Sequence, residues 1–432
     1  MTGSSCGCTT RSTSDRSLVA GTRVLRLSPV ARQLIVDRTV MVDSRTSALL
    51  ADRLLDLDLA DPVLPDGPAA HITVVIPVKD NASGVERLLT VLVPHLPCIV
   101  VDDASAEAGA VADVAYRHGA MLIRLDHNLG PAAARDVGLK QVTTPLVAFV
   151  DSDVEVSVES LAALGRHFAD PRLAAAAPRV RTRSGARWFE RYEASSGSLD
   201  LGPRPATVRP WSPVTYVPSA CLVGRVDALG AGFDPSLRSG EDVDLVWRLQ
   251  ADGHRVRYIA EVTAHHDARR TVTGWLGRKV FYGTSAAPLA RRHGDRAAPA
   301  VMTLPVATVS IGLLLQRRWS LAAAAVAAGF FVRDTGAALG DLPARRRRAV
   351  VVATGGTMLR QTSGLVLRHW WPASLVLAVA SRRGRRALLV AGALDVVAAH
   401  RSSDRQRPAP LRARPPGRRH GLRMGRVARR CS

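Results

Sequence analysis

Hydrophobic positions in the middle of the chain fall in short uninterrupted runs, each followed by a stretch of helical length. Residues 71–77, 98–101, 121–125 and 146–150 are such runs, rich in Val and Ile, and read as strands buried on both faces. Residues 83–92, 113–118 and 131–142 between them read as helices. This alternation predicts an α/β fold, a mostly parallel sheet with crossover helices on its faces. Pro77 is expected to stop the first strand, because it lacks the donor a ladder needs. Further on, Val243, Val246 and Leu249 trace the apolar face of a helix that opens at Gly240. A strand follows at 255–259, then a helical stretch carrying Arg278, Lys279 and Tyr282.

The flanks read differently. Residues 21–61 alternate short strand and helix signals, at 24–27, 29–35, 40–42 and 44–59, with Ser44 placed as an N-cap. They predict a small α+β module, winged-helix-like or a docking unit. Residues 1–20 carry no pattern and are expected to be disordered. Residues 62–70, with Pro62, Pro65, Gly67 and Pro68, read as a linker. That leaves 71–296 as the main domain. Beyond it, residues 297–316 form twenty positions without a charge, long enough to cross a bilayer but interrupted by Pro299 and Pro305. A second uncharged run, 319–332, is shorter. The region 297–399 therefore reads as apolar helices, either buried or inserted in a membrane as a hairpin or interfacial segment.

Charge changes this picture little. The net charge of +22 suggests nucleic acid at first, but residues 401–432 alone hold eleven Arg against one Asp. That tail, from 400 onward, reads as disordered and solvated. With Arg345–Arg348 it suits an anionic membrane surface at least as well, so no nucleic-acid partner is expected. The five cysteines are scattered and match no zinc-site spacing. They read as free thiols of a reducing compartment. The opening residues show no secretory signal, so a cytoplasmic location, or the cytoplasmic face of the membrane, is expected.

Candidate chemistry collects where the strands end, as ligand groups do in open α/β sheets. Asp151 and Asp153 follow the fourth strand directly. Two carboxylates one residue apart there can share a hard cation, Mg2+ or Mn2+, bridged to diphosphate oxygens; the plainer alternative is a solvated turn. Asp102 and Asp103 end the second strand and can accept the imide N–H of uracil, or simply cap the strand. Pro77 and Lys79 after the first strand, and Asn128 in the turn before the third helix, are placed to contact a nucleotide. Arg135 can hold the same ligand or buttress Asp151. Glu241 and Asp242 suit a helix N-terminus for dipole reasons alone; the sharper reading has Glu241 touch the nucleotide-sugar donor and Asp242 take a proton from an attacking hydroxyl. His265 or His266 can complete a metal shell beside Asp153. Arg278, with Arg269 and Arg270, can neutralise a diphosphate or merely solvate a helix. The Gly-rich phosphate loop typical of a nucleotidyltransferase is missing after the first strand, and a purely basic binding protein would leave the ordered acids unexplained.

In their order along residues 71–285, the segments Val74-Val75-Ile76-Pro77, Val100-Val101-Asp102-Asp103-Ala104-Ser105, Asn128-Leu129-Gly130 with Ala134-Arg135, Asp151-Ser152-Asp153 and Gly240-Glu241-Asp242 resemble family-2 glycosyltransferases. The resemblance implies a GT-A fold, a nucleoside-diphosphate sugar, a divalent metal, and inversion with Asp242 as base. The chain lacks the Gln-x-x-Arg-Trp of the processive, cellulose-synthase-like members. The stretch from Trp275 to Leu289, with the N-terminal module, is similar to the glycosyltransferases of actinobacterial mycofactocin biosynthesis. That narrower resemblance implies UDP-glucose as donor and a peptide-derived redox cofactor precursor as acceptor, with repeated transfer building a β-1,4-glucan. A lipid or polysaccharide acceptor is the alternative.

Overall fold

In a computed structural model of the chain, the described residues are 7–10, 13–14, 17–20, 23–64, 71–183, 185–267, 271–298, 300 and 302–404. The centre is one mixed sheet. Its strands are β1 (Ile72–Val78), β2 (Cys98–Asp102), β3 (Met121–Arg124), β4 (Leu146–Val150), β5 (Val154–Glu155), β6 (Leu173–Thr182), β7 (Ala206–Thr207), β8 (Cys221–Arg225) and β9 (Arg255–His266). The order across the sheet is β5-β9-β6-β8-β4-β1-β2-β3, and β7 pairs with β9. Strands β4, β1, β2 and β3 are mutually parallel. Strand β8 runs antiparallel to both β4 and β6, so β6 and β9 point the same way as β4. Order reverses between β1 and β4, and the crevice at their carboxyl ends is where such sheets bind ligands.

Every residue of β1, β2 and β4 is buried, which is why these strands read as continuous apolar runs. Val74, Ile76 and Val78 face one core cluster, and Val75 the other, as a period of two requires. The helices α1 (Ala82–Leu92), α2 (Ala108–His118), α3 (Pro131–Leu139), α4 (Val158–Arg166), α5 (Trp188–Ser196), α6 (Glu241–Ala251) and α7 (Val272–Gly283) flank the sheet. Pro77 does not stop β1, which continues to Val78. The β4 ladder ends at Val75, so at Pro77 the strand is paired on the β2 side alone and a missing donor is tolerated.

Three further expectations are corrected. Residues 7–10, 13–14 and 17–20, expected to be disordered, are strands: Gly7–Thr10 pairs with Thr39–Met41 and Ala60–Pro62, and Ser17–Ala20 with Arg23–Arg26. Each is too short to show a periodicity in sequence, although Leu18 enters the module's core. The histidines at 265 and 266 do not follow β9 but belong to it. The clean apolar run at 297–316 yields only a twelve-residue helix, Leu304–Leu315, which begins with Pro305 in its first turn. The helix long enough to cross a membrane is Arg318–Ala338, 21 residues with a hydropathy of 1.3. Ala344–Gly364, Trp371–Ala380 and Arg382–Asp404 complete the helical region. Most of the expected linker, and the tail from 405, lie outside the described residues.

The N-terminal module is tied to the sheet by charge. Its helix Arg45–Asp56, capped by Ser44 as expected, brings Asp52 and Asp56 to the fully buried Arg255 of β9, each at 2.9 Å. Asp170, just before β6, closes the same guanidinium from the main domain. Asp58 accepts the Thr207 amide of β7, and Thr207 Oγ1 donates to the Leu55 carbonyl at 2.7 Å. The module is thus part of the domain's frame.

Candidate active site

Strand β4 delivers Asp151-Ser152-Asp153 to the switch point. The turn is held from β1: Asn81, which caps α1 by accepting from Gly84 N, also donates through Nδ2 to the Ser152 carbonyl and hydroxyl, both at 3.1 Å. Gly84 is needed because any Cβ there would strike the Ser152 carbonyl. The Asp151 and Asp153 side chains remain 27% and 29% exposed, enough to meet a ligand. His266 Nε2 lies 3.2 Å from Asp153 Oδ2, and His266 Nδ1 is buried with no hydrogen-bond partner. His265 is the neighbouring residue of an extended strand and points to the opposite face, so only His266 joins the site.

Arg135, on α3, is 3% exposed and does not reach a ligand. It donates to Asp151 Oδ1 at 2.6 Å and to Glu241 Oε1 at 3.0 Å, and its guanidinium lies 5.3 Å from the Phe233 ring centroid. Of the two roles open to Arg135 from sequence, buttressing Asp151 is the one the geometry gives. Glu241, expected to touch the donor, is committed to the same arginine. Asp242 comes next, on the first turn of α6. It accepts from its neighbour's Val243 N at 2.8 Å and from Ser219 N at 3.3 Å. Ala220, the next residue, accepts from Asp151 N at 3.0 Å. One backbone segment therefore holds both acids. Burial and the adjacent Glu241 carboxylate push Asp242 up to about 7, against the pull of Arg135.

Asp102 and Asp103 turn inward. Asp102, 1% exposed, accepts from Ser105 N at 2.9 Å and pairs with Arg124. Asp103 takes Leu129 N at 2.7 Å and Gly130 N at 2.9 Å, which shapes the turn into α3. Asn128 accepts from Gly130 N in the same turn. In this arrangement both acids order the crevice walls. Pro77 is buried within β1, whereas Lys79 is exposed at its end. Arg278, exposed on α7, lies 4.8 Å over the Tyr282 ring and lines a cleft with His266 and Trp275. Arg269 and Arg270 fall outside the described residues. Sequence reasoning missed Phe233 and Ser219. Phe233 was just one more apolar residue, and Ser219 acts through its backbone, which no side-chain pattern reveals.

Among the described residues no group of three or more metal-ligating side chains is gathered. Two carboxylates with one imidazole alongside nevertheless suit Mg2+ or Mn2+, which take one or two protein carboxylates and complete their shell with substrate phosphates and water.

An open sheet with an Asp-x-Asp at its switch point, and a half-buried acid at a helix N-terminus tied to it through Glu241 and Arg135, fits a glycosyltransferase of GT-A fold. Residues 73–231 match the model of glycosyl transferase family 2, and the chain belongs to that family. It is 43% identical over 393 residues, 87% of this chain and 81% of the relative, to the pre-mycofactocin glycosyltransferase of Mycobacterium tuberculosis in strains H37Rv and CDC 1551. Solved structures of similar arrangement include a mannosyltransferase from Pyrobaculum calidifontis in complex with GDP-Man and Mn2+ (20% identity, 80% of this chain, 91% of that one, TM-score 0.40). Another is S. aureus TarS with UDP-GlcNAc (17% identity, 77% and 92%, TM-score 0.39).

Proposed function

We propose that this chain transfers glucose from UDP-glucose, with inversion, to a hydroxyl of a mycofactocin precursor, and that repeated transfer extends a β-1,4-glucan. The single observation that carries the mechanism is Asp242: an acid at a helix N-terminus, titrating near neutrality, cross-tied through Glu241 and Arg135 to Asp151. A base poised near the working pH is the most effective kind. The acceptor oxygen attacks the anomeric carbon as its proton passes to Asp242. The carbon–oxygen bond to the diphosphate breaks with its electron pair leaving on the diphosphate, and the configuration inverts. Asp151, Asp153 and His266 would hold Mg2+ or Mn2+, whose charge stabilises the departing diphosphate. Lys79 and Arg278, both exposed at the mouth of the site, add positive charge for the donor. The mycofactocin acceptor is supported by the name of the relative with 43% identity.

The reaction is proposed to run at the cytoplasmic face of the membrane. Supporting this, Leu304, Val326, Val352, Val376, Val379 and Leu389 in the helical region are 60–81% exposed where a water-soluble bundle would bury them. Asp242→Asn tests the mechanism: turnover should fall by about 10²–10⁴ with donor binding kept. Normal turnover would remove Asp242 from the role of base.

A further inference from the structure

Beyond the acids, a cleft opens between α5 and α7, lined by Glu193, His266, Trp275, Arg278, Lys279 and Tyr282. Its outer lip is aromatic. Trp275 meets Trp188 edge to face at 5.8 Å and Tyr192 at 5.9 Å, over the buried Phe189. Trp188 is 58% exposed and Tyr192 50% exposed. The lip is braced and not a loose surface patch. Trp275 Nε1 donates to Glu193 Oε2 at 2.7 Å, and Lys279 Nζ bonds the same carboxylate at 3.2 Å. Half-exposed aromatic rings packed on an anchored Trp275 are suited to receive the face of a ring.

Position says which partner. The cleft lies at the carboxyl ends of β6 and β9, next to Thr182 and His266. The β1–β2 crevice, where the donor's nucleotide belongs, lies on the other side of β4 in the sheet. His266 and Tyr282 join this cleft to the acids. Burial raises the Tyr282 phenol, against the pull of Arg278, and Asp151 and Asp242 are close enough to add to the rise. We propose that the Trp188–Tyr192–Trp275 ledge is the acceptor platform. It stacks a flat ring, aryl or pyranose, whose hydroxyl is thereby presented to Asp242, and Glu193 and Lys279 take the neighbouring hydroxyls. This rests on the glycosyltransfer reading above.

Trp188→Ala/Tyr192→Ala tests the platform in the full chain, with phenyl β-glucoside and methyl β-cellobioside as probes. Calorimetry reads probe binding, and UDP release reads turnover. The double variant should weaken probe binding, and raise acceptor KM relative to donor KM, by about tenfold. A stronger loss for the phenyl probe assigns the ledge to an aryl ring, and a stronger loss for the cellobioside to a sugar; Trp188→Phe should restore most of it. Undiminished binding of both probes by the double variant, or no binding of either by the native chain, overturns the proposal. So does loss of binding to anionic vesicles with unaltered acceptor KM, which would make the ledge a membrane contact. If the native chain releases no UDP while probe binding still depends on Trp188, the transferase reading fails and the ledge stands.

Discussion

The buried guanidinium of Arg135 pairs with two acids, Asp151 and Glu241, and so ties the Asp-x-Asp turn to the first turn of α6. Removing it would leave two carboxylates crowded with no counter-charge. Arg135→Ala should therefore lower stability by about 3–5 kcal/mol, read by urea unfolding; an unchanged midpoint would mean that the cross-tie is idle. The charge balance also sets the pH response. Asp242 must be ionised to accept a proton, and burial with Glu241 raises it to about 7, so kcat/KM should rise with pH through an inflection near neutrality. Glu241→Gln removes the like charge and should move that inflection to lower pH. A profile flat from pH 5.5 to 8.5 would contradict the assignment. Sequence made Asp151, Asp153 and Asp242 legible because their types, order and places at element ends carry the signal. The buried partners of Asp102, Arg135 and Glu241 were not legible for one physical reason: a charged residue near a crevice looks the same in sequence whether it faces ligand or a buried partner.

At the scale of elements, Gly240 sets how α6 begins. Its φ is +80°, and a Cβ there would lie 2.8 Å from Ser285 Cβ and 3.0 Å from Leu289 Cδ1. Gly240→Ala should cost about 1–2 kcal/mol from the left-handed backbone alone, and the displaced first turn should lower turnover by more than it lowers the unfolding midpoint. Equal, small effects would mean that the turn tolerates the shift. Strands β1, β2 and β4 could be read from sequence because their burial on both faces leaves no polar interruption. The short strand at 7–10 could not, since pairing partners distant in sequence define it. The two histidines illustrate a third limit. Their membership of β9 decides that one joins Asp153 and the other turns away, and that depends on where the strand ends.

At the scale of the molecule, the N-terminal module and the catalytic sheet share the Arg255 cluster of Asp52, Asp56 and Asp170. Module and catalytic domain should accordingly unfold in one transition, and Asp56→Ala should lower its midpoint; two separated transitions by calorimetry would show independent units. The helical region, with its exposed apolar side chains and the basic stretch Arg345–Arg348, should carry the chain onto anionic vesicles in a salt-sensitive manner. The central claim, a metal-dependent transferase using a UDP-sugar, is tested most directly by UDP release from UDP-glucose in manganese, with and without chelator. Release that stops with chelator and is lost in Asp151→Asn is the predicted result. Release indifferent to chelator, or none from any UDP-sugar with no UDP binding, would contradict it.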